Sequence, residues 1–198
     1  MRKLSASQLA GSSSHYGREE HDYYATDPKA VQMLLNKHQF TGEKILEPCV
    51  GGGHIANYLN DYYKTICDGI DIVDRGYPNT LVCDFLKKEI TNKYDTIITN
   101  PPYNYAREFA EKCLDVLEDK GQLAMFLKVQ FLEGAKRKGF FEKYPPKFVY
   151  VFRNRMGTLK NGSEINPETG KKWASTTMCH AWFVWEKGYE GEPIIRWL

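Results

Sequence analysis

Apolar residues along this chain recur in two rhythms. Between positions 28 and 35 they fall at Ala30, Val31, Leu34 and Leu35, the spacing of one buried helix face. Asp27 and Pro28 mark its start, a carboxylate that can accept from first-turn N–H groups followed by a residue whose missing donor costs nothing there. Phe109, Ala110, Cys113, Leu114 and Leu117 repeat the rhythm over 107–118, and Gly121 stops it. A basic helical segment over 133–143 ends before Pro145 and Pro146. Elsewhere the apolar residues come in short runs bounded by turn formers, which reads as strands at 44–47, 66–73, 80–83, 94–99, 122–131, 147–153 and 180–185. Strands alternating with helices predict an α/β fold: a Rossmann-like, seven-stranded, mostly parallel sheet with helices on both faces and an antiparallel last strand.

Residues 1–20 are polar and rich in Ser and Gly, which reads as a flexible arm. Residues 21–198 form one domain, large enough for a sizeable core and carrying a polar loop over 154–178. No apolar run approaches the roughly 18 residues of a membrane span. The start lacks the apolar centre of a secretory signal. Five scattered cysteines without a C-x-x-C pair argue for reduced thiols in a cytoplasmic protein and against a zinc site. Cys179-His180, at the mouth of the last apolar run, reads as packing. The net charge of +2 hides an uneven distribution: residues 134–172 hold ten Lys or Arg against three Glu, a surplus of +7 that leaves −5 elsewhere. A basic stretch on a slightly acidic body is the electrostatic outline of a nucleic-acid binder.

The strand 94–99 runs into Asn100-Pro101-Pro102-Tyr103. Two prolines can neither extend a ladder nor open an ordinary helical turn, and Asn100 is pushed out of the α region by the proline after it. The outcome is a stiff corner at the carboxyl end of a strand, where open α/β sheets bind ligands. It suits a planar group bearing NH2. The Asn100 side-chain oxygen and the Pro101 carbonyl can each accept one amino hydrogen, while Tyr103 stacks on the ring. Holding both hydrogens would localise a delocalised lone pair and stabilise the positive charge that develops on nitrogen during attack.

Upstream, the run 44–56 is a short strand, a glycine loop (Gly51-Gly52-Gly53) and a helix start, so backbone N–H groups face a ligand at close range. A dinucleotide would meet Glu47 as a like charge. A zwitterion with an ammonium group, such as the methionine end of S-adenosyl-L-methionine, would not. Asp71, about 20 residues beyond the glycine loop at the tip of the next strand, is placed for ribose hydroxyls, with Asp74 as the alternative. Asp84 can accept from an adenine amino group while Phe85 lies against the base. Asp71 and Asp84 each also fit a turn or cap.

With these residues in order, the chain resembles the S-adenosylmethionine-dependent methyltransferases that modify exocyclic amino groups, and within them the small prophage-type DNA adenine-N6 enzymes. The resemblance covers nearly the whole chain from Asp22 onward. It implies cofactor contacts at Tyr24, Thr26 and Pro28, then at Glu47, Pro48, Gly51 and Gly53 in the loop. It further implies Asp71 and Ile72 at the ribose, Asp84 and Phe85 at the adenine, and Asn100 beside the methyl group. Asn100, Pro101, Pro102 and Tyr103 match the catalytic motif. The implied reaction is direct methyl transfer to adenine N6 of DNA on a flipped base. Phe131, read as core, and Trp173 are further aromatics near the target. The 95 residues after Tyr103 leave no room for a separate target-recognition domain, so the segments 133–147 and 154–178 would carry that work, with relaxed specificity or help from a second subunit. Cytosine-N4 methylation, RNA adenine, protein glutamine, a non-catalytic nucleic-acid-binding module and a nicotinamide-dependent dehydrogenase remain open alternatives, as does monomer against homodimer.

Overall fold

A computed structural model describes residues 24–160, 162–163, 165, 169–171 and 178–198. The expected arm over 1–20, Asp22, Trp173 and much of the loop 154–178 lie outside the described residues.

The sheet order is β10-β7-β9-β6-β5-β2-β3-β4. The strands are β2 (Ile45–Glu47), β3 (Asp68–Asp71), β4 (Thr80–Val82), β5 (Tyr94–Thr99), β6 (Leu117–Lys128), β7 (Phe148–Val151), β9 (His180–Glu186) and β10 (Ile194–Trp197). Only β9 runs against its neighbours, β6 and β7; every other pairing is parallel. The mostly parallel α/β sheet is as expected, with two corrections. Among the described residues this sheet has eight strands, not seven, and its antiparallel strand is not the last, since β10 follows it and pairs in parallel with β7. All four residues of β10 are exposed, so no buried alternation announces it. A separate two-stranded ribbon joins β1 (Tyr24–Thr26) to β8 (Thr158–Lys160).

Helices cover both faces. Along β6, Leu123, Met125 and Leu127 join one core with α3 (Ala106–Val116), while Ala124 and Phe126 join the other with α1 (Pro28–Leu35) and α2 (His54–Tyr63). This is the period of two that a strand buried on both faces must show. β9 does the same with Phe183 and Trp185 against Trp182 and Val184. The α1 pattern appears as expected: Ala30, Val31, Leu34 and Leu35 are buried, and Asp27 Oδ1 accepts from the Lys29 N–H at 2.8 Å. Trp182 is fully buried and its Nε1–H donates to the Ala30 carbonyl at 3.0 Å, which pins the start of α1 to the sheet. A short helix, α4 (Lys138–Lys143), lies in the basic segment and buries Phe140. β6 starts at Leu117, inside the span expected to be helical, and its pairing with β5 shifts register between Tyr94 and Thr96.

Candidate active site

β5 and β2 are parallel neighbours, with Ile45 opposite Thr96 and Leu46 opposite Ile97. Asn100 directly follows β5 and Cys49 lies two residues past β2, so both stand just beyond the carboxyl ends of neighbouring strands. The Asn-Pro-Pro-Tyr corner therefore stands beside the glycine loop at the carboxyl edge of the sheet. Asn100 is half-buried, and its Nδ2 donates to the Tyr24 carbonyl at 2.9 Å. A carbonyl only accepts, so this bond assigns the nitrogen end of the amide and leaves Oδ1 to accept from another donor. Pro101 is buried and Pro102 exposed; a 3-10 turn over Tyr103–Tyr105 follows. The Tyr103 hydroxyl is buried without a hydrogen-bond partner, and burial pushes its pKa up, so the ring is a neutral platform.

The glycine loop is held by acids from beneath. Gly51 (φ 50°) and Gly53 (φ 79°) occupy left-handed backbone. A Cβ on Gly53 would sit 2.6 Å from Tyr77 Cδ2, and the Tyr77 ring is pinned by its hydroxyl donating to the Cys67 carbonyl at 2.7 Å. Gly53 caps α2 without a side chain. Glu47, 2% exposed, fills that gap: its Oε2 accepts from the Ala56 N–H at 2.8 Å. Burial, reinforced by the charge of Asp71, raises the Glu47 pKa well above the usual carboxylate value. Asp71 accepts from Gly51 N–H at 2.9 Å and from Val73 N–H at 3.1 Å. Both acids, expected to face the cofactor, thus have oxygens engaged with the loop's own backbone.

Other expected contacts fall as follows. Thr26, expected at the methionine end of the cofactor, is 2% exposed, and its buried hydroxyl has no hydrogen-bond partner among the described residues. Such a group and the left-handed glycine turns at Gly51 and Gly53 fit S-adenosylmethionine. Pro28 opens α1, Pro48 is buried under the loop, and Ile72 is 50% exposed beside Asp71. Asp84 accepts from Leu86 N–H at 3.0 Å and pairs with Lys87 at 2.9 Å, and that lysine lowers its pKa. Phe85 is a correction: it is 2% exposed and stacks on Phe109 with centroids 5.5 Å apart, so its ring is core and not a wall for a base. Phe131 is core, as read.

Two residues beside Tyr103 were not read as site residues from the sequence. Lys128, at the end of β6, places Nζ 5.1 Å from the Tyr103 ring centroid, and no carboxylate among the described residues pairs with it. His180, its partner in the β6–β9 register, lies 6.0 Å from the same ring. His180 Nδ1 is 2.8 Å from the Met156 carbonyl, which requires the proton on Nδ1; burial, then the Lys128 charge, lower its pKa and keep it neutral. Cys179-His180 had read as packing, and an apolar strand ending in lysine carries no local signal of what that lysine faces. The β1–β8 ribbon closes the surroundings: β8 leads to Gly162, whose carbonyl is 3.3 Å from His54 Nε2 at the start of α2.

No family model matches the chain. A release factor glutamine methyltransferase of Streptococcus pneumoniae is 32% identical over 109 residues, covering 48% of this chain and 39% of that protein. Among solved structures, a protein of Listeria monocytogenes assigned to the class I S-adenosylmethionine-dependent methyltransferases superposes with TM-score 0.55 at 14% identity, over 86% of this chain and 62% of its own. A modification subunit assigned to a type I restriction enzyme of Vibrio vulnificus gives 0.59 at 13%, over 94% and 48%. TrmN of Thermus thermophilus gives 0.52 at 17%, over 80% and 48%. The chain spans less than two thirds of each of these proteins. It has the fold of the class I methyltransferases, for which S-adenosyl-L-methionine is the expected cofactor.

Proposed function

We propose that this chain transfers a methyl group from S-adenosylmethionine to an exocyclic amino group, adenine N6 in DNA above all, by direct displacement on a flipped base. The observation that carries this is the Asn100 amide: its nitrogen donates to the Tyr24 carbonyl at 2.9 Å, so the end of the side chain left for a ligand is an acceptor, as the Pro101 carbonyl is. Two acceptors and no donor select an amine over a carbonyl. When bound, the cofactor supplies an electrophilic methyl group. Asn100 and Pro101 hold the two amino hydrogens and align the nitrogen lone pair for attack. Tyr103, neutral and rigid, carries the ring. No strong base is required, because the methylated ammonium is acidic and releases its proton to water. Thr26 and the N–H groups around Gly51 and Gly53 would hold the cofactor. Glu47 and Asp71 act mainly by holding that loop in shape, a refinement of their expected direct contacts.

A nucleic-acid target is supported by Lys128, a cation that pairs with no carboxylate among the described residues, at the ring that would carry the base. Backbone phosphate is the natural anion to meet it. The Streptococcus pneumoniae relative favours a second reading, methylation of a protein glutamine amide, which presents the same NH2 to the same acceptors. Incubation with labelled S-adenosylmethionine and DNA, RNA or protein, followed by nucleoside and amino-acid analysis, separates them. The expected product is N6-methyladenine. Label confined to glutamine would replace the first reading with the second.

A further inference from the structure

At the free edge of the sheet, outside the site just described, lies a recess of ≈ 300 Å³ lined by Lys37, Tyr150, Arg153, Ile195, Arg196 and Trp197. Its three cations are exposed, and none of them pairs with a carboxylate among the described residues. Trp197 is 59% exposed, an unusual position for the largest apolar side chain. The Arg196 guanidinium rests over the Phe148 ring at 4.3 Å, which holds its charge at the rim.

The recess meets the catalytic edge of the sheet at Arg153 and Trp197, while Lys37, next to His38, and Arg196, over Phe148, lie toward the other end of the strands. Trp197 pairs with Val151, Val151 with Ala181, and Ala181 with Leu127. Thr99 pairs with Met125, so Pro101 comes level with Leu127 and hence with Trp197. Four strand spacings of about 4.8 Å separate β5 from β10, roughly 19 Å in all. That is the length of about five or six nucleotides at 3.4 Å each.

We infer that this recess is a second contact site for the nucleic acid, one that grips the strand five or six nucleotides from the methylated base. The inference rests on the nucleic-acid reading above. Lys37, Arg153 and Arg196 meet backbone phosphates, and Trp197 offers a stacking face to an unpaired or terminal base. A second copy of this chain is the poorer occupant. Two-fold pairing of the β10 edges would set Lys37, Arg153 and Arg196 against the same three cations, and the acids next to β10, Glu190 and Glu192, precede the strand and line no part of the recess.

The test uses the full chain saturated with S-adenosylhomocysteine, titrated with a fluorescent duplex spanning both sites and with its single strand across a salt series. Lys37→Gln and Arg153→Gln should each lower the slope of log affinity against log salt by about one unit, and Arg153→Lys should retain it. Trp197→Ala should weaken single-strand binding about 5- to 100-fold while S-adenosylhomocysteine binding stays as in the parent. Parent slopes in all three variants, with DNA still bound, would overturn the inference and leave the nucleic-acid reading intact. So would a change from dimer to monomer in sedimentation with the slope unmoved, which would make the edge a contact between copies. If the parent protein binds neither DNA nor RNA, the reading itself fails and the inference with it.

Discussion

The two halves of the sheet treat charge in opposite ways. In the half built from β2, β3 and β4, the acids turn inward: Glu47 satisfies the first turn of α2, and Asp71 ties Gly51 and Val73 to the tip of β3. In the half built from β6, β7, β9 and β10, Lys147 pairs with Glu186 at 2.7 Å, but Lys128, Arg153 and Arg196 turn outward and have no carboxylate partner among the described residues. One half uses its acids to hold a loop rigid; the other presents three cations to solvent. A cradle for a small zwitterion needs fixed backbone donors, while a track for a polyanion needs unpaired cations. The Asn-Pro-Pro-Tyr corner sits on β5, between the two.

Perturbing each region should therefore fail in a different way. The largest effect belongs to the corner. Asn100→Ala should cut the methyl-transfer rate about 10²- to 10³-fold while calorimetry shows S-adenosylhomocysteine binding unchanged. Loss of cofactor binding instead would place Asn100 in the cradle. Next comes the cradle itself. Gly53→Ala puts a side chain in left-handed backbone against the pinned Tyr77 ring, and should cost about 2–4 kcal/mol in urea unfolding.

Glu47→Ala leaves the Ala56 N–H buried without an acceptor and should cost about 1–3 kcal/mol, whereas Glu47→Gln keeps a carbonyl there and should cost little. The pH dependence gives the sign. Because the folded pKa of Glu47 is raised above 4.5, its contribution to stability is complete below that value and is lost as pH rises toward the folded pKa. The Gln variant should gain on the parent over that window; a gain on acidification would contradict the buried acid. The smallest effect belongs to the outward half: Lys128→Met should raise KM for nucleic acid about fivefold, leave cofactor binding alone and lower the salt dependence. An unchanged KM would detach Lys128 from the target.

Where structure followed from local chemistry, the sequence was enough. Asp27-Pro28 starts α1, and the apolar runs of β5 and β9 are strands buried on both faces. The glycine loop and the corner lie on neighbouring strands because parallel α/β topology leaves little choice. What escaped depended on distant partners. β1 and β8 are three residues each and exist by pairing Tyr24 with Lys160, far apart in the chain. β10 is short, exposed and bounded by Pro193, so only its ladder to β7 identifies it. Phe85 shows the converse limit: a ring after a strand tip fits a ligand wall or a core equally well until Phe109 is seen stacked on it. Glu47 and Asp71 were expected to face the cofactor and hold backbone N–H groups, because a carboxylate reads the same whether it will hold a ligand or its own backbone.

The central claim is geometric, and a structure of the protein with S-adenosylhomocysteine and an adenine-containing duplex tests it most directly. Asn100 Oδ1 and the Pro101 carbonyl should both lie within hydrogen-bond distance of N6 on an extrahelical adenine, with the Asn100 nitrogen still on Tyr24. An adenine seated elsewhere, or an Asn100 amide turned so that its nitrogen faces the base, would contradict the account.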